Sequence, residues 1–325
     1  MILERWQKVL SRSFYKVQEL LKFLLLPVNV GNLEAEKNFK TKVPLSFALR
    51  IKKRNFKDPI LLQVLAVKKE LKEKLNYVKD PLKEKNINVE KGLLHKYHGR
   101  VLLILTGSCA VNCRYCFRKF FSYKNNTLQT GRWDYVLNYI NKNSSIKEVI
   151  LSGGDPLLVS NKVLFNLFNK LNDIDHLKII RIHTRIPVVF PERIDKNFLD
   201  ILHKVRLQKV IVLHINHPQE LDNSILSVCT YLKSVGCYLY NQSVLLKNIN
   251  NDVNILVKLS YCLFSFGILP YYLHLLDKVE GISHFDVHID EAKCIYRELQ
   301  KKLPGYLVPK LVYENPECLS KILIS

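Results

Sequence analysis

From residue 100 onward, short apolar segments alternate with longer amphipathic segments, and this alternation limits the folds open to the chain. The apolar, β-prone segments cover residues 101–106, 148–152, 178–184, 209–215, 237–244 and 269–275. The amphipathic segments cover roughly 131–142, 161–172, 192–206, 219–235, 250–267 and 289–302. Strands that alternate with helices of this length are βα units, and right-handed crossovers make their sheet parallel. Because six units are too few for a closed eight-stranded barrel, the sequence predicts an α/β fold with a partial (β/α)6 barrel.

Outside this alternation, the sequence predicts an N-terminal extension and a short tail. Residues 1–26 carry apolar side chains at helical spacing, which predicts a packing helix. A second helix is expected from about Asp58 to Leu75. We therefore divide the chain into a mainly helical extension at residues 1–92, the barrel at 93–303 and a C-terminal tail at 304–325. The extension carries no side-chain chemistry that we can identify.

Three cysteines, Cys109, Cys113 and Cys116, fall within eight residues directly after the first apolar segment. A short apolar run bounded by glycine predicts a buried strand, so these cysteines are expected on the loop at its C-terminal end. Three thiolates on one loop can bind three corners of a cubane iron–sulfur cluster and leave the fourth iron without a protein ligand. Structural zinc is the main alternative, but it requires four ligands, usually as two cysteine pairs. The sequence has no second pair, and a disulfide framework explains vicinal loop cysteines less well.

Polar residues, together with one pair of glycines, also follow the other predicted strands. They are Gly153, Gly154 and Asp155, His183 with Arg185, His214 with Asn216 and His217, Asn241 with Gln242, and His274 with Asp277. In parallel α/β barrels, the carboxyl ends of the strands form the face where catalytic groups gather. All six predicted strands agree in this respect, so the pattern predicts a catalytic face. Two of these residues, His183 and His214, are also compatible with buried core histidines.

The composition bears on the partners of the protein and on its cellular compartment. Lys and Arg outnumber Asp and Glu by 50 to 29, which gives a formal net charge of +21. The lysines are spread along the chain and form no basic platform, so we expect no nucleic-acid partner. The apolar run at residues 23–26 is far shorter than the roughly 18 residues of a membrane span. Eight cysteines without a secretory segment indicate a reducing compartment. The sequence thus predicts a cytoplasmic protein with no membrane partner.

The cysteine motif, C-x3-C-x-aromatic-C with Tyr115 as the aromatic residue, resembles the signature of radical S-adenosylmethionine (SAM) enzymes. Five further segments make the resemblance more specific: Leu94-His-Lys-Tyr-His-Gly-Arg100, Cys116-Phe-Arg-Lys119, Ser152-Gly-Gly-Asp-Pro156, His214-Ile-Asn-His-Pro218 and Asn241-Gln-Ser-Val-Leu-Leu246. Together they resemble the lysine 2,3-aminomutases, and most closely the short form that supplies (R)-β-lysine for the modification of elongation factor P. The resemblance implies an isomerase that converts L-α-lysine to (R)-β-lysine through a 5′-deoxyadenosyl radical.

The resemblance also implies a [4Fe-4S] cluster and SAM as cofactors. The three cysteines of the motif would bind the cluster, and the open iron would chelate SAM. A second set of residues matches the SAM pocket: Gly153, Gly154, Asp155, His214 and Gln242.

Pyridoxal 5′-phosphate (PLP) is the third implied cofactor. It would lie near Lys96, Tyr97 and Arg100, and Lys321 would bind it covalently as the catalytic lysine. Lys96 stands where the longer relatives carry arginine. The turn before Lys321 contains no glycine, unlike the corresponding turn of the relatives, so Lys310 is kept as the alternative.

Free L-lysine is the implied substrate. Arg118 matches the residue that binds its α-carboxylate, and Asp277 and Glu314 match the two carboxylates that bind its ε-ammonium. The implied partners are an unidentified one-electron donor and, downstream, the elongation factor P pathway. Two alternatives stay open: a non-catalytic iron–sulfur binding protein, and a radical SAM enzyme of different chemistry without PLP.

Overall fold

A single sheet runs through the computed structural model, which describes residues 4–84, 88–128 and 133–325. Within these residues the sheet has ten strands that lie side by side in chain order. They are β1 (Asn88–Glu90), β2 (Leu93–Tyr97), β3 (Arg100–Thr106), β4 (Glu148–Gly153), β5 (Ile179–Thr184), β6 (Gln208–His214), β7 (Cys237–Val244), β8 (Leu269–His274), β9 (Lys310–Tyr313) and β10 (Ile322–Leu323). Strands β3 to β9 are parallel, whereas β1 and β2 pair antiparallel at one edge and β10 pairs antiparallel at the other.

All six predicted strands are present, each within one residue of its predicted bounds. The structure adds a seventh parallel strand, β9, from the region that the sequence predicts as a tail. Its central residues Leu311 and Val312 are buried, and Leu311 pairs with Leu273 of β8. A run of four residues is too short for its periodicity to be recognised in the sequence. Among the described strands β10 does not pair with β1, so the prediction of an open, partial barrel is confirmed.

Helices connect the parallel strands, as the alternation predicts. The α-helices of the described residues are α1 (Arg5–Leu10), α2 (Val17–Phe23), α3 (Leu33–Asn38), α4 (Leu45–Ala48), α5 (Pro59–Val64), α6 (Tyr123–Asn126), α7 (Trp133–Lys142), α8 (Asn161–Asn172), α9 (Ile186–Val189), α10 (Lys196–His203), α11 (Asn223–Ser234), α12 (Val253–Ser265) and α13 (Ile289–Lys302). In the ranges that the structure covers, none of them has both the length and the apolar composition needed to cross a bilayer.

The extension is less helical than the sequence predicts. The prediction of one helix across residues 1–26 is wrong, because α1 and α2 are separate helices. Between them the backbone of Phe14 pairs with that of Val43, with N–O distances of 2.8 and 3.0 Å. The helix predicted from Asp58 to Leu75 is also wrong beyond Val64, where α5 ends. In both places tertiary pairing and packing override the local helical pattern.

The extension packs against the barrel and shares its hydrophobic core. Trp6, Leu20 and Phe47 belong to the same contiguous buried cluster as Leu103 and Leu151 of the sheet. Burial of apolar surface therefore fixes the extension against the barrel.

Candidate active site

The predicted cluster ligands lie on the loop that leaves the C-terminal end of β3. Cys109, Cys113 and Cys116 are free thiols, and each is partly buried. Asn112 fastens this loop to the extension. Its backbone N donates to Lys42 O at 2.9 Å, and its side chain donates to Lys40 O at 2.8 Å. The shape of the loop therefore depends on the extension.

Arg114, between the second and third cysteines, forms a further link to the extension. Its guanidinium is fully buried, and Nε and Nη2 donate to the carboxylate of Glu70 at 2.9 and 2.5 Å. The remaining donors reach the carbonyl oxygens of Phe39 at 2.5 Å and Ala35 at 3.1 Å. Because breaking a buried ion pair leaves an uncompensated charge, these contacts hold the loop in one conformation. The extension thus shapes the cluster site, although its sequence shows no chemistry.

The donor set of the cysteine loop fits an iron–sulfur cluster. Burial raises the pKa of Cys116 to about 12 and that of Cys109 well above its usual value, so deprotonated sulfurs here need compensating positive charge. Arg185 supplies such charge, since its Nη1 lies 2.8 Å from Cys113 Sγ. Within the described residues, no three His, Cys, Asp or Glu side chains converge as ligands of a single metal ion. A cubane cluster does not require three side chains to converge on one ion, because each cysteine binds a different iron.

Gly153 and Gly154 bring the end of β4 against the cysteine loop. A Cβ at Gly153 would lie 2.4 Å from Thr106 O, and one at Gly154 would lie 2.3 Å from Ser108 O. The backbone N of Gly154 donates to Thr106 O at 2.7 Å. Only glycine permits this approach, so both glycines have a structural reason in the chain itself. Their predicted contact with SAM stays a prediction.

Asp155 joins the ends of β4 and β5. Its carboxylate accepts from Thr184 Oγ1 at 2.7 and 2.9 Å, from Arg185 N at 2.8 Å and from Leu157 N at 3.1 Å. Burial raises its pKa to about 6, although these hydrogen bonds oppose the rise. Since the chain's own donors use both of its oxygens, Asp155 positions the loop that carries Arg185.

His214 and Gln242 are neighbours at the carboxyl ends of β6 and β7, where they are register partners. His214 Nε2 lies 2.8 Å from the hydroxyl of Tyr115 and 3.3 Å from Asn216 Nδ2. Burial holds the pKa of His214 well below its usual value, so the ring is neutral. The amide of Gln242 has no hydrogen-bond partner in the described part of the chain, which leaves it able to bind a ligand.

Glu314 is the centre of the predicted PLP region. Its carboxylate accepts hydrogen bonds from Tyr97 and Lys321, and from Lys96 Nζ at 3.0 Å. Burial alone would raise the pKa of Glu314, but the ammonium of Lys321 and these hydrogen bonds lower it to about 2. Glu314, predicted only as a ligand of the substrate ammonium, therefore also joins the two groups of predicted PLP residues.

The β9–β10 hairpin brings Lys321 to this position. Ile322 pairs with Tyr313, which places the residues on either side of the turn next to each other. The turn contains no glycine and is closed by Asn315, whose side-chain oxygen accepts from Glu317 N at 3.0 Å. Lys310, the alternative PLP lysine, is exposed on β9 and makes no such contact.

The residues around Lys321 fit PLP. Lys96 is committed to Glu314 and to Asn315 O at 3.0 Å. Arg100 lies over the ring of Tyr97, 4.6 Å from its centroid, and makes no ion pair within the described ranges. A lysine amine can bind the aldehyde of PLP, a guanidinium without an ion pair can bind its phosphate, and an aromatic side chain can pack against its ring.

Asp277 lies on the loop after β8, near Lys321 and Glu314. No cationic side chain of the described residues lies within ion-pair distance of it. Burial raises its pKa to about 7, although the charge of Lys321 opposes this. The site therefore contains one carboxylate that is paired, Glu314, and one that can receive a cation, Asp277.

Arg118, two residues after Cys116, is buried. Its Nη1 donates to Ser152 Oγ at 3.0 Å and to Gly153 O at 3.1 Å. Its Nε and Nη2 donate to the carboxylate of Glu84, a residue that the sequence does not single out. No short motif surrounds Glu84, so only the fold reveals it.

His183 is a second residue whose role the sequence leaves open, because it is also compatible with a buried core histidine. Its Nε2 is buried and has no hydrogen-bond partner among the described residues. Burial, followed by the charges of Arg181, Lys321 and Arg118, holds its pKa well below the usual value. An ordinary core histidine would have this nitrogen paired. The charges of Lys321 and Arg118 both act on this ring, so the unpaired nitrogen makes His183 a candidate ligand contact.

The chain was compared with protein-family models and with known proteins. Residues 103–255 match the model of the Radical SAM superfamily. The chain is 46% identical over 313 residues to the L-lysine 2,3-aminomutase of Haemophilus influenzae, covering 96% of this chain and 93% of that protein. It is 42% identical over 314 residues to the L-lysine 2,3-aminomutase of Escherichia coli, covering 96% and 92%. For the L-lysine 2,3-aminomutase of Clostridium subterminale the identity is 32% over 315 residues, covering 96% of this chain and 75% of that protein.

Comparison with solved structures concerns the fold. A radical SAM methyltransferase from Sphaerobacter thermophilus aligns with a TM-score of 0.50 and 13% identity, covering 68% of each chain. The likeness agrees with the open barrel described above.

Proposed function

Since the chain belongs to the lysine 2,3-aminomutase family of radical SAM enzymes, we propose that it converts L-α-lysine to (R)-β-lysine and supplies it for the modification of elongation factor P. The observation that carries the activity is the arrangement of Lys321 with Glu314 and Asp277. The pathway is proposed from the resemblance of the sequence motifs to the short form.

When bound, the cluster with SAM supplies a 5′-deoxyadenosyl radical, and PLP carries the nitrogen between the two carbons. Cys109, Cys113 and Cys116 hold the cluster in this proposal. Gly153, Gly154, His214 and Gln242 form the wall of the SAM pocket, and Asp155 positions it.

On the PLP side, Lys321 holds the cofactor through Nζ. Arg100 is the cation left for the phosphate, and Lys96 and Tyr97 orient Glu314. An arginine suits a phosphate because its planar fork donates two parallel bonds.

The substrate is bound at its two charged ends. Arg118 binds the α-carboxylate, and Asp277 and Glu314 bind the ε-ammonium. The pair formed by Lys321 and Glu314 supports this, since it shows that a primary ammonium fits against Glu314. Contacts fixed at both ends select the length of the amino acid, because a shorter one leaves a desolvated charge unpaired.

All eight thiols are free, which suits a reducing compartment, and we propose a cytoplasmic location. We expect no nucleic-acid partner, as the sequence predicts.

The test is an anaerobic assay with L-lysine, SAM, PLP and dithionite, read by chromatography and mass spectrometry. We expect (R)-β-lysine from the wild type and none from Cys113→Ala. Cleavage of SAM without β-lysine would indicate a radical SAM enzyme of different chemistry. A cluster with no SAM cleavage would indicate a non-catalytic iron–sulfur protein. For the pathway, the mass of elongation factor P isolated from cells should fall by one β-lysyl group when Cys113→Ala replaces the wild type.

A further inference from the structure

Arg185 connects the cysteine loop to a buried polar network. Its Nη1 donates to Cys113 Sγ at 2.8 Å. Its Nη2 donates to Gln63 Oε1 at 2.6 Å and to Glu220 Oε2 at 2.9 Å. Arg185, Gln63 and Glu220 are all buried, the last two with no exposed surface. The guanidinium is thus held at a cysteine sulfur by partners that solvent does not reach.

Three further hydrogen bonds fix Glu220. Its Oε1 accepts from Gln63 Nε2 at 3.1 Å, from Asn216 N at 2.9 Å and from His217 N at 3.1 Å. Gln63 belongs to α5 of the extension, 157 residues away from Glu220 in the chain. Because Gln63 and Glu220 are themselves held by these hydrogen bonds, they fix the guanidinium of Arg185 through Nη2, while its Nε has no partner among the described residues.

We propose that Arg185 raises the reduction potential of the cluster at Cys113, and that Gln63 and Glu220 are positioning residues that set the size of this effect. The inference rests on the proposed function, since it requires the cluster. The couple concerned takes up one electron from an external reductant, and no bond is made or broken.

The direction follows from charge. Reduction adds one negative charge to the cluster and its sulfur ligands. A cation and an N–H donor at Cys113 Sγ stabilise the reduced state more than the oxidised state, and in a buried site little solvent screens them. Hydrogen bonds to cluster sulfurs are a recognised determinant of such potentials. Glu220 acts in the opposite direction, because its carboxylate neutralises part of the charge of Arg185.

The variants therefore shift the midpoint potential in opposite directions. Arg185→Lys keeps the charge but loses the planar donor, so the midpoint falls, and Arg185→Gln removes the charge, so it falls further. Glu220→Gln removes the neutralising carboxylate and keeps an acceptor, so the midpoint rises. The matched control is Arg181→Lys, which alters a partly buried arginine of β5, four residues before Arg185, that pairs with Glu148 instead of a cysteine.

The measurement is a potentiometric titration of the anaerobically reconstituted protein, followed by electron paramagnetic resonance of the reduced cluster. We expect the order Glu220→Gln, wild type, Arg185→Lys and Arg185→Gln from highest to lowest potential, with Arg181→Lys at the wild-type value. Equal midpoints for wild type and variants would overturn the inference. A fall in Glu220→Gln would do the same, since it would indicate general damage. If Arg185→Gln does not fold, Arg185→Lys and Glu220→Gln still show whether the midpoint potential shifts in the expected directions. Absence of a cluster signal in the wild type would refute the cluster proposal instead.

Discussion

Glu84 binds the guanidinium of Arg118 through both of its carboxylate oxygens, at 2.6 and 2.8 Å. Burial disfavours the charge on Arg118, but Glu84 raises its pKa above the usual value. The arrangement is the one that a bound α-carboxylate would adopt. The residue proposed to bind the carboxyl end of the substrate is thus already paired with a carboxylate of the chain.

We predict that Glu84→Gln lowers the KM for L-lysine by about tenfold, roughly 1.4 kcal/mol, because the substrate then displaces a neutral amide instead of a carboxylate. Steady-state kinetics of the loaded enzyme measure this. Lys83 is exposed, so Lys83→Ala tests whether any change in this segment has the same effect. A raised KM in Glu84→Gln would show that Glu84 is a permanent part of the binding site.

Each of Cys109→Ala, Cys113→Ala and Cys116→Ala should abolish both cluster assembly and SAM cleavage, because two thiolates leave two irons without a protein ligand. Iron content, visible absorbance and release of 5′-deoxyadenosine measure these losses. Cys294 is exposed on α13, outside the cysteine loop, so Cys294→Ala should behave as the wild type. Zinc without iron after anaerobic reconstitution would contradict the assignment.

The KM for L-lysine should rise as the pH falls through about 7. Burial raises the pKa of Asp277 to about 7, so its carboxylate is protonated below that pH and loses its attraction for the ε-ammonium. Bound lysine favours the ionised form, so the effect belongs to KM more than to kcat. In Asp277→Asn the KM should be high and should no longer depend on pH in this range. An unchanged acid limb in that variant would assign the titration to another group.

Ornithine should be a poor substrate. It is one methylene shorter than lysine, so it cannot reach Arg118 and the two carboxylates together, and an unpaired desolvated charge costs on the order of 2–5 kcal/mol. Competition between the two amino acids in one assay gives the ratio of their kcat/KM values. Equal use of both would show that Asp277 and Glu314 do not select the length.

Lys321 should carry the pyridoxyl group after borohydride reduction of the PLP-loaded protein. Its Nζ is held against Glu314, whereas Lys310 is exposed on β9. Peptide mapping by mass spectrometry identifies the labelled lysine. Lys310→Arg should retain the label and the pyridoxal absorbance, and Lys321→Arg should lose both. A label on Lys310 would refute the assignment, and no label on any lysine would favour the non-catalytic alternative.

The sequence predicts the barrel well because its evidence is local. Each strand from β3 to β8 is an apolar run that can be recognised on its own, and the cysteines follow directly in the chain. The missed features depend on partners that are distant in the chain. Glu84 and Arg118 are 34 residues apart, and Gln63 and Arg185 are 122 residues apart. No local pattern marks such pairs.

In the C-terminal tail, too, the structure depends on pairing that no local sequence pattern marks, although the partners are closer in the chain. The turn before Lys321 lacks the glycine that a close approach suggests, so sequence reasoning leaves its geometry open. In the structure Asn315 closes the turn and the pairing of Ile322 with Tyr313 sets its register. A two-residue strand is too short to be predicted without its partner.

The buried pair of Arg114 and Glu70 has a consequence for protein engineering. A chimera that joins this barrel to the extension of another protein would place a fully buried guanidinium opposite whatever residue replaces Glu70. Without a carboxylate there, the unpaired charge would cost about 3–5 kcal/mol, enough to distort the loop that the three cysteines share. The extension and the barrel are therefore not interchangeable modules, and a transplant must carry both halves of this pair.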